Sequence, residues 1–288
     1  MSDLPALLVT GLMSGLITGL AALAVTLVFG IARFANAATG DMMTLGAYVA
    51  LSVATATGSL VLGGVAGTAA SLLVAVAFYL LVFRKLAGRS SVTALLASIG
   101  VGFIIRAGLG LTYGFQQQVF PVPLVRPWVG FGFRLLPLDL ELAALAAATL
   151  VTVFLVLHAT PVGRRMRAVA DDPALARVSG VEPERVMLTL WAMAGAVAAV
   201  AGLMVGIKTV VQPELGWNVL LPAFTAAILG GIGSPVGAVV AGLLLGVVQE
   251  LSTPFVGFTY KLAVVFLALL LVLLVRPTGL FGRRERIR

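Results

Sequence analysis

The chain has 288 residues, of which 60% are hydrophobic and 10% charged, with a mean hydropathy of +1.13 and a formal net charge of +8. Globular domains carry charge on about a quarter of their residues, so a soluble domain is excluded. The basic excess lies beside the ends of apolar runs and is not interleaved with aromatic residues, which excludes nucleic-acid binding and fits cytoplasmic loops of a membrane protein. Cysteine is absent, so disulfide and thiol chemistry are excluded as well.

The first uncharged run, Leu4–Ala32, is long enough to cross a bilayer, which takes about 20 apolar residues. The preceding residues lack the basic region of a signal peptide, so the run is expected to remain as a mature helix. Gly11, Gly15 and Gly19 recur every fourth residue and give that helix a smooth face for close packing. Arg33–Asp41 is small and polar, and it leads into an uncharged run from Met42 to Phe83. That run must fold back near Gly58–Gly64, leaving Met42–Thr57 short for a crossing and Val65–Phe83 adequate for one. Arg84, Lys85 and Arg89 mark a cytoplasmic end.

Ser91–Thr112 forms the next span. The loop from Gln116 to Pro137 holds Pro121, Pro123, Pro127, Pro137 and Trp128, as suits an outer interface. Spans are expected at Leu138–Leu157, Val186–Ile207 and Phe258–Val275, with an outer loop at Gln212–Glu214. Leu215–Gln249 is interrupted at Gly230-Gly231-Ile232-Gly233-Ser234-Pro235, a break that predicts two half-length segments meeting at a turn. Parity supports this. With Arg33, Arg84–Arg89, the 160–185 segment and the basic C-terminus all cytoplasmic, the region from Val186 to Val275 crosses an even number of times. The broken segment must then enter and leave on one side. Continuous apolar runs without two-residue alternation mean helices and not a barrel. The fold class is therefore all-α: one polytopic transmembrane domain, 1–288, of about eight spans (eight to ten), some short or re-entrant.

Charge is concentrated in one island, Thr160–Arg185, within a loop at 158–186. Asp171-Asp172-Pro173 reads as a helix start, with an acid at the cap and proline in the first turn. Gly180 reads as its stop, and Glu182 and Glu184 favour the positive end of the following helix. The island is thus expected to be an Arg-rich strap (Arg164, Arg165, Arg167) followed by a short helix lying along the membrane. Its arginines could anchor on anionic lipid, or its apolar face (Ala174, Leu175, Val178) could dock into a cytoplasmic motor domain. Only docking depends on the apolar face.

No phosphate-binding loop occurs, so the chain does not hydrolyse ATP by itself. His158, the single histidine, has no serine–acid companions, and Asp41 is the only acid between Asp3 and Asp139. Ionisable residues at membrane depth are functional candidates by default. Arg106 lies about 22 Å along its helix from Ser91 and is expected to snorkel to the outer interface. Lys208, Glu250 and Lys261 fall at helix ends. Asp41 with Asn36, flanking Gly40 where a short segment begins, is the leading polar site, because a short segment exposes helix-end amides to a cavity.

Three stretches resemble one family. They are Gly30-Ile31…Asn36…Gly40-Asp41…Gly46-Ala47-Tyr48; Thr160-Pro161-Val162-Gly163-Arg164-Arg165-Met166-Arg167-Ala168-Val169-Ala170 with Ala176 and Gly180-Val181; and Gly230–Ala238 with Gly242, Gly246, Glu250 and Arg276–Gly282. In this order they are similar to the permease subunits of branched-chain amino acid ABC importers, nearer the first of two paralogous permease types. Ala37 and Thr39 depart from the usual Phe and His of the first signature. The resemblance implies a bacterial inner-membrane protein with the island and the C-terminus cytoplasmic. It implies a second permease (a paralogue or an identical copy), two cytoplasmic ATP-binding subunits that carry the ATP and Mg, and a periplasmic substrate-binding protein; this chain itself would bind no cofactor or metal. It also implies that Gly163, Arg164, Arg167, Asp171, Asp172, Ala174, Leu175, Val178 and Gly180 couple ATP hydrolysis to transport. Asn36, Gly40, Asp41, Tyr48, Gly230, Gly231, Gly233 and Ser234 are candidates for the translocation path. The alternative is a stand-alone channel or secondary transporter for small polar solutes, which needs a buried ion-coupling site.

Overall fold

The computed structural model describes residues 4–122, 128–130, 133–276 and 278–282. The expected positions of Pro123, Pro127, Pro277 and the last four arginines fall outside these residues. In chain order the helices are α1 (Leu4–Ala32), α2 (Ala38–Thr57), α3 (Leu60–Phe78), α4 (Ser91–Tyr113), α5 (Pro137–Ala159), α6 (Pro161–Asp171), α7 (Pro173–Val178), α8 (Pro183–Lys208), α9 (Leu215–Gly230), α10 (Pro235–Val256) and α11 (Lys261–Val275). A π-helical turn, Tyr79–Phe83, continues α3, and a 3₁₀ turn, Phe258–Tyr260, leads into α11. Seven of these helical stretches are long and apolar enough to cross a membrane; α2 and the shorter α9 run among them. The protein is a polytopic all-α membrane protein. One antiparallel hairpin interrupts the loop after α4, with β1 (Trp128–Gly130) paired to β2 (Phe133–Leu135), where sequence gave only a proline-rich loop.

Two helices form the centre. α1 and α8 are mostly buried inside the bundle, whereas α3, α4, α5 and α11 keep most of their surface outward, as lipid-facing helices do. α1 packs antiparallel along α10 through its glycines. A Cβ on Gly15 would stand 2.8 Å from the Leu243 Cα, so only a missing side chain permits that approach.

The basic residues gather at one end. There Arg33, the only described non-glycine residue in the left-handed region (φ 56°), turns the chain out of α1 and donates to the Ala170 and Asp171 carbonyls at the end of α6 at 2.8 and 3.4 Å. Ser91 at the start of α4 donates to the Arg33 carbonyl (3.2 Å), and Arg84 pairs with Glu184 in the first turn of α8. The opposite end is closed by a backbone bridge between Gln118 and Val211 and by two ion pairs, Lys208 with Asp139 and Lys261 with Glu250 (2.8 Å). Lys208, Glu250 and Lys261 are therefore paired, not merely terminal. Glu250 is buried inside α10, which runs past the charge to Val256 because Lys261 neutralises it.

The glycine-rich break makes a turn at the basic end, so α9 and α10 form the expected hairpin. Its arms are unequal: α9 has 16 residues, but α10 has 22 and is a full span. The half-length expectation holds for α9 only, since apolar sequence continues through Leu251–Val256 after the two polar residues that marked the end.

Candidate functional site

The first cluster lies inside the membrane-spanning bundle. α2 starts not at the end of the bundle but beside the second turn of α4, where the Ser98 hydroxyl accepts from the Ala37 amide at 3.0 Å and Asn36 Oδ1 accepts from the Ala38 amide at 3.2 Å. Ser98 is seven residues into α4, about 10 Å along its axis. These side chains replace the partners that the first-turn amides of a helix otherwise lack. α9 also begins within the bundle: Gly216 rests on Gly40, and its amide donates to the Thr44 hydroxyl at 2.9 Å. The first turns of two helices thus meet at depth, joined through Gly40, Thr44 and Gly216.

Asp41, in the first turn of α2, is almost fully buried and accepts from Arg106 of α4. Nε and Nη2 of Arg106 both reach Asp41 Oδ1, at 3.0 and 2.9 Å. Arg106 does not snorkel to the outer interface as expected. Side chains on a helix lean toward its N-terminus, and α4 rises from the basic end, so the Arg106 side chain points back into the membrane. Asp41 waits there because Gly102, one turn earlier on α4, leaves room for its other carboxylate oxygen. The guanidinium also lies over the rings of Phe103 and Trp217, 5.4 and 5.1 Å from their centroids. Sequence had singled out Asp41 but left its partner unrecognised.

Around this pair the described residues leave several buried polar atoms unpartnered: Asn36 Nδ2, Thr39 Oγ1 and the Tyr48 hydroxyl. The Tyr48 ring lies tilted against that of Tyr113, with centroids 4.8 Å apart. Asn36, Gly40, Asp41 and Tyr48 therefore belong to one region. Gly230, Gly231, Gly233 and Ser234 do not. They form the basic-end turn between α9 and α10, where Gly233 touches Gly30 and Gly231 touches Gly282. The Leu280 and Phe281 amides donate there to the Leu229 and Gly230 carbonyls at 2.8 and 3.1 Å. Ser234 caps α10 by accepting from the Gly237 amide (3.1 Å).

The second cluster is the charged island. Its Arg-rich strap is not extended: residues Pro161–Asp171 form the helix α6, with Gly163, Met166 and Val169 buried on one face and Arg164 and Arg165 exposed on the other. Spacings of three between those buried positions are helical, and they were available as a signal. Gly163 presses against the Leu157 backbone at the end of α5, and Arg167 donates to the Leu157 carbonyl, so the α5–α6 corner is fixed. Asp171 then ends α6, and Asp172 caps α7 by accepting from the Ala174 and Leu175 amides at 2.8 and 3.1 Å. Gly180, at φ 81°, ends the turn that follows α7.

α7 turns Ala176 inward, leaving Leu175 65% and Val178 88% exposed and Ala174 exposed beside them. Behind it lies a cavity of about 510 Å³, walled by Arg84, Arg89, Pro173 and Arg177 and floored by Phe83 and Trp191. Those two rings stack at 4.4 Å, and Phe34 and Tyr79 complete the cluster. The π-helical turn, a distortion common at functional sites, brings Tyr79 and Phe83 to it. α7 itself packs against α6 and α8, and the cavity it borders is shared with residues of α1, α4 and the π-helical turn.

Residues 7–275 match the family described as "Branched-chain amino acid transport system / permease component". The chain belongs to this permease family. It is 30% identical over 292 residues to the high-affinity branched-chain amino acid transport system permease protein LivH of Escherichia coli K12, covering 96% of this chain and 94% of that one. It is 32% identical to BraD, the corresponding permease protein of Pseudomonas aeruginosa, covering 96% and 95%. A more distant relative is the ribose import permease protein RbsC of Bacillus subtilis, 30% identical over 176 residues, 58% of this chain and 50% of that one. In three dimensions the chain resembles PsaBC from Streptococcus pneumoniae, solved in complex with Fab, with a TM-score of 0.51 at 11% identity over 93% of this chain and 91% of that one; this likeness concerns the fold alone.

Proposed function

We propose that the chain is the transmembrane permease subunit of an ATP-driven importer for branched-chain or related amino acids. It works with a second permease, two separate ATP-binding subunits and a periplasmic substrate-binding protein, in the inner membrane. The basic end is cytoplasmic by the positive-inside rule. The observation that carries this function is α7: a capped helix with Leu175 and Val178 bare to solvent, packed against α6 and the spanning helix α8. Exposed leucine and valine on a charged loop are costly in water and cheap in a cleft of another protein. Gly163 and Arg167 brace the platform against α5, while Arg164 and Asp171 flank it. ATP-driven closure of the motor pair pushes on α7 and rocks the two permeases between inward- and outward-facing states. The path passes the Asn36–Tyr48 region, and Gly230, Gly231, Gly233 and Ser234 border its cytoplasmic mouth.

The test is co-purification of the tagged chain, expressed with its neighbouring genes, as wild type and as Leu175→Arg. An ATPase subunit co-elutes with wild type and is lost from Leu175→Arg, while the permease keeps its elution position. If no ATPase accompanies wild type, the importer assignment fails and a stand-alone transporter takes its place.

A further inference from the structure

α4 and α9 both pack on α2 but scarcely touch each other, so they wall a groove with the α2 first turn as its floor. Arg106 projects from one wall and Trp217 stands on the other, close enough for the guanidinium to lie over the indole. A guanidinium carries five N–H donors. Among the described residues, two point at Asp41 Oδ1 and the others have no acceptor. The Arg106 side chain is 17% exposed, between the exposed rings of Phe103 and Trp217.

A cation at hydrocarbon depth is not left facing lipid, and its free donors demand an acceptor. The acceptor must be anionic or strongly polar, fit a planar donor fork, and tolerate aromatic walls. A carboxylate on an apolar side chain meets all three conditions, because guanidinium and carboxylate match geometrically and the rings receive the apolar part. Asp41 cannot play that part itself. It is already held, and its role is to fix Arg106 in the groove.

We propose that Arg106, held by Asp41, receives the carboxylate of the amino-acid cargo as it passes the α4–α9 groove, with the cargo side chain against Phe103 and Trp217. This rests on the importer function proposed above. Specificity for a carboxylate is then read a second time inside the membrane, after the binding protein has released its ligand.

The test uses the complete importer in proteoliposomes, with radiolabelled L-leucine, L-valine and L-isoleucine as probes, scoring uptake and ATP hydrolysis together. Arg106→Gln alone would leave Asp41 buried and unpaired, so the informative variant is the neutral pair Asp41→Asn/Arg106→Gln, beside Asp41→Asn alone. The neutral pair is expected to retain both the companion permease and the ATPases but to lose about tenfold in uptake per ATP, the scale of one charge-assisted hydrogen bond. Asp41→Asn, which keeps the guanidinium and an acceptor for it, stays nearer to wild type. Wild-type uptake by the neutral pair overturns the proposal. So does loss of the companion permease from that variant, which makes Arg106 an inter-permease contact. A wild-type complex that hydrolyses ATP but moves none of the three amino acids overturns the cargo chemistry, whereas a wild type without ATPase overturns the importer assignment itself.

Discussion

The Asp41–Arg106 pair and the Glu182–Arg185 pair are made of the same two chemical groups in opposite surroundings. The first lies within the spanning bundle, with the carboxylate nearly sealed off. The second lies on the island with the Arg185 side chain 79% and the Glu182 side chain 62% exposed. Water already solvates the island charges, so pairing adds little there. Inside the bundle each charge depends on the other, and the geometry of the groove depends on both. The molecule places many charges where each matters little and one pair where removal of the arginine strands a buried acid.

This contrast can be broken most severely at Arg106. Replacing it with Leu leaves the Asp41 carboxylate buried without a counter-charge, a change that costs about 3–5 kcal/mol. The expected outcome is loss of the monodisperse peak in fluorescence-detected size-exclusion after mild heating, with much of it regained when Asp41→Asn is added. A smaller effect is expected at the island cap. Asp172→Ala removes the acceptor for two amides of α7, costs about 1 kcal/mol locally, and weakens ATPase co-purification without moving the melting temperature of the bundle. The smallest is Glu182→Ala. It deletes one exposed pair worth about 0.2–1 kcal/mol, and both the melting temperature and co-purification should match wild type. A clear loss of stability from Glu182→Ala would erase the distinction between the two regions.

Most of the architecture was legible because lipid imposes it. Uncharged runs mark the spans, and parity of the basic loops alone requires the α9–α10 hairpin. The island's cap at Asp172 and stop at Gly180 were readable because capping chemistry is local. What escaped was of two kinds. The α5–α6 corner hid in plain view: arginines drew attention to charge, while the buried row of Gly163, Met166 and Val169 carried the helix. The Arg106–Asp41 pair is different, since its members are 65 residues apart. A depth count along α4 placed Arg106 near the outer side. Only the lean of helical side chains toward the N-terminus, together with the room left by Gly102, directs it inward. The inequality of α9 and α10 was obscured for a similar reason, because Gln249 and Glu250 looked like an end when Lys261 had been paired with the acid across a turn.

The contact between α1 and α10 has a consequence for how the protein is made. α1 leaves the ribosome well before α10 and is among the most deeply enclosed helices in the finished bundle, yet the glycine face it offers is matched by Gly242 and Gly246, more than 200 residues later in the chain. Until α10 emerges, that face has nothing to close upon. Assembly is therefore governed by a long-range encounter late in translation, the kind of contact that slows folding and exposes intermediates. The nascent permease must be sheltered by lipid or by the insertion machinery until α10 arrives.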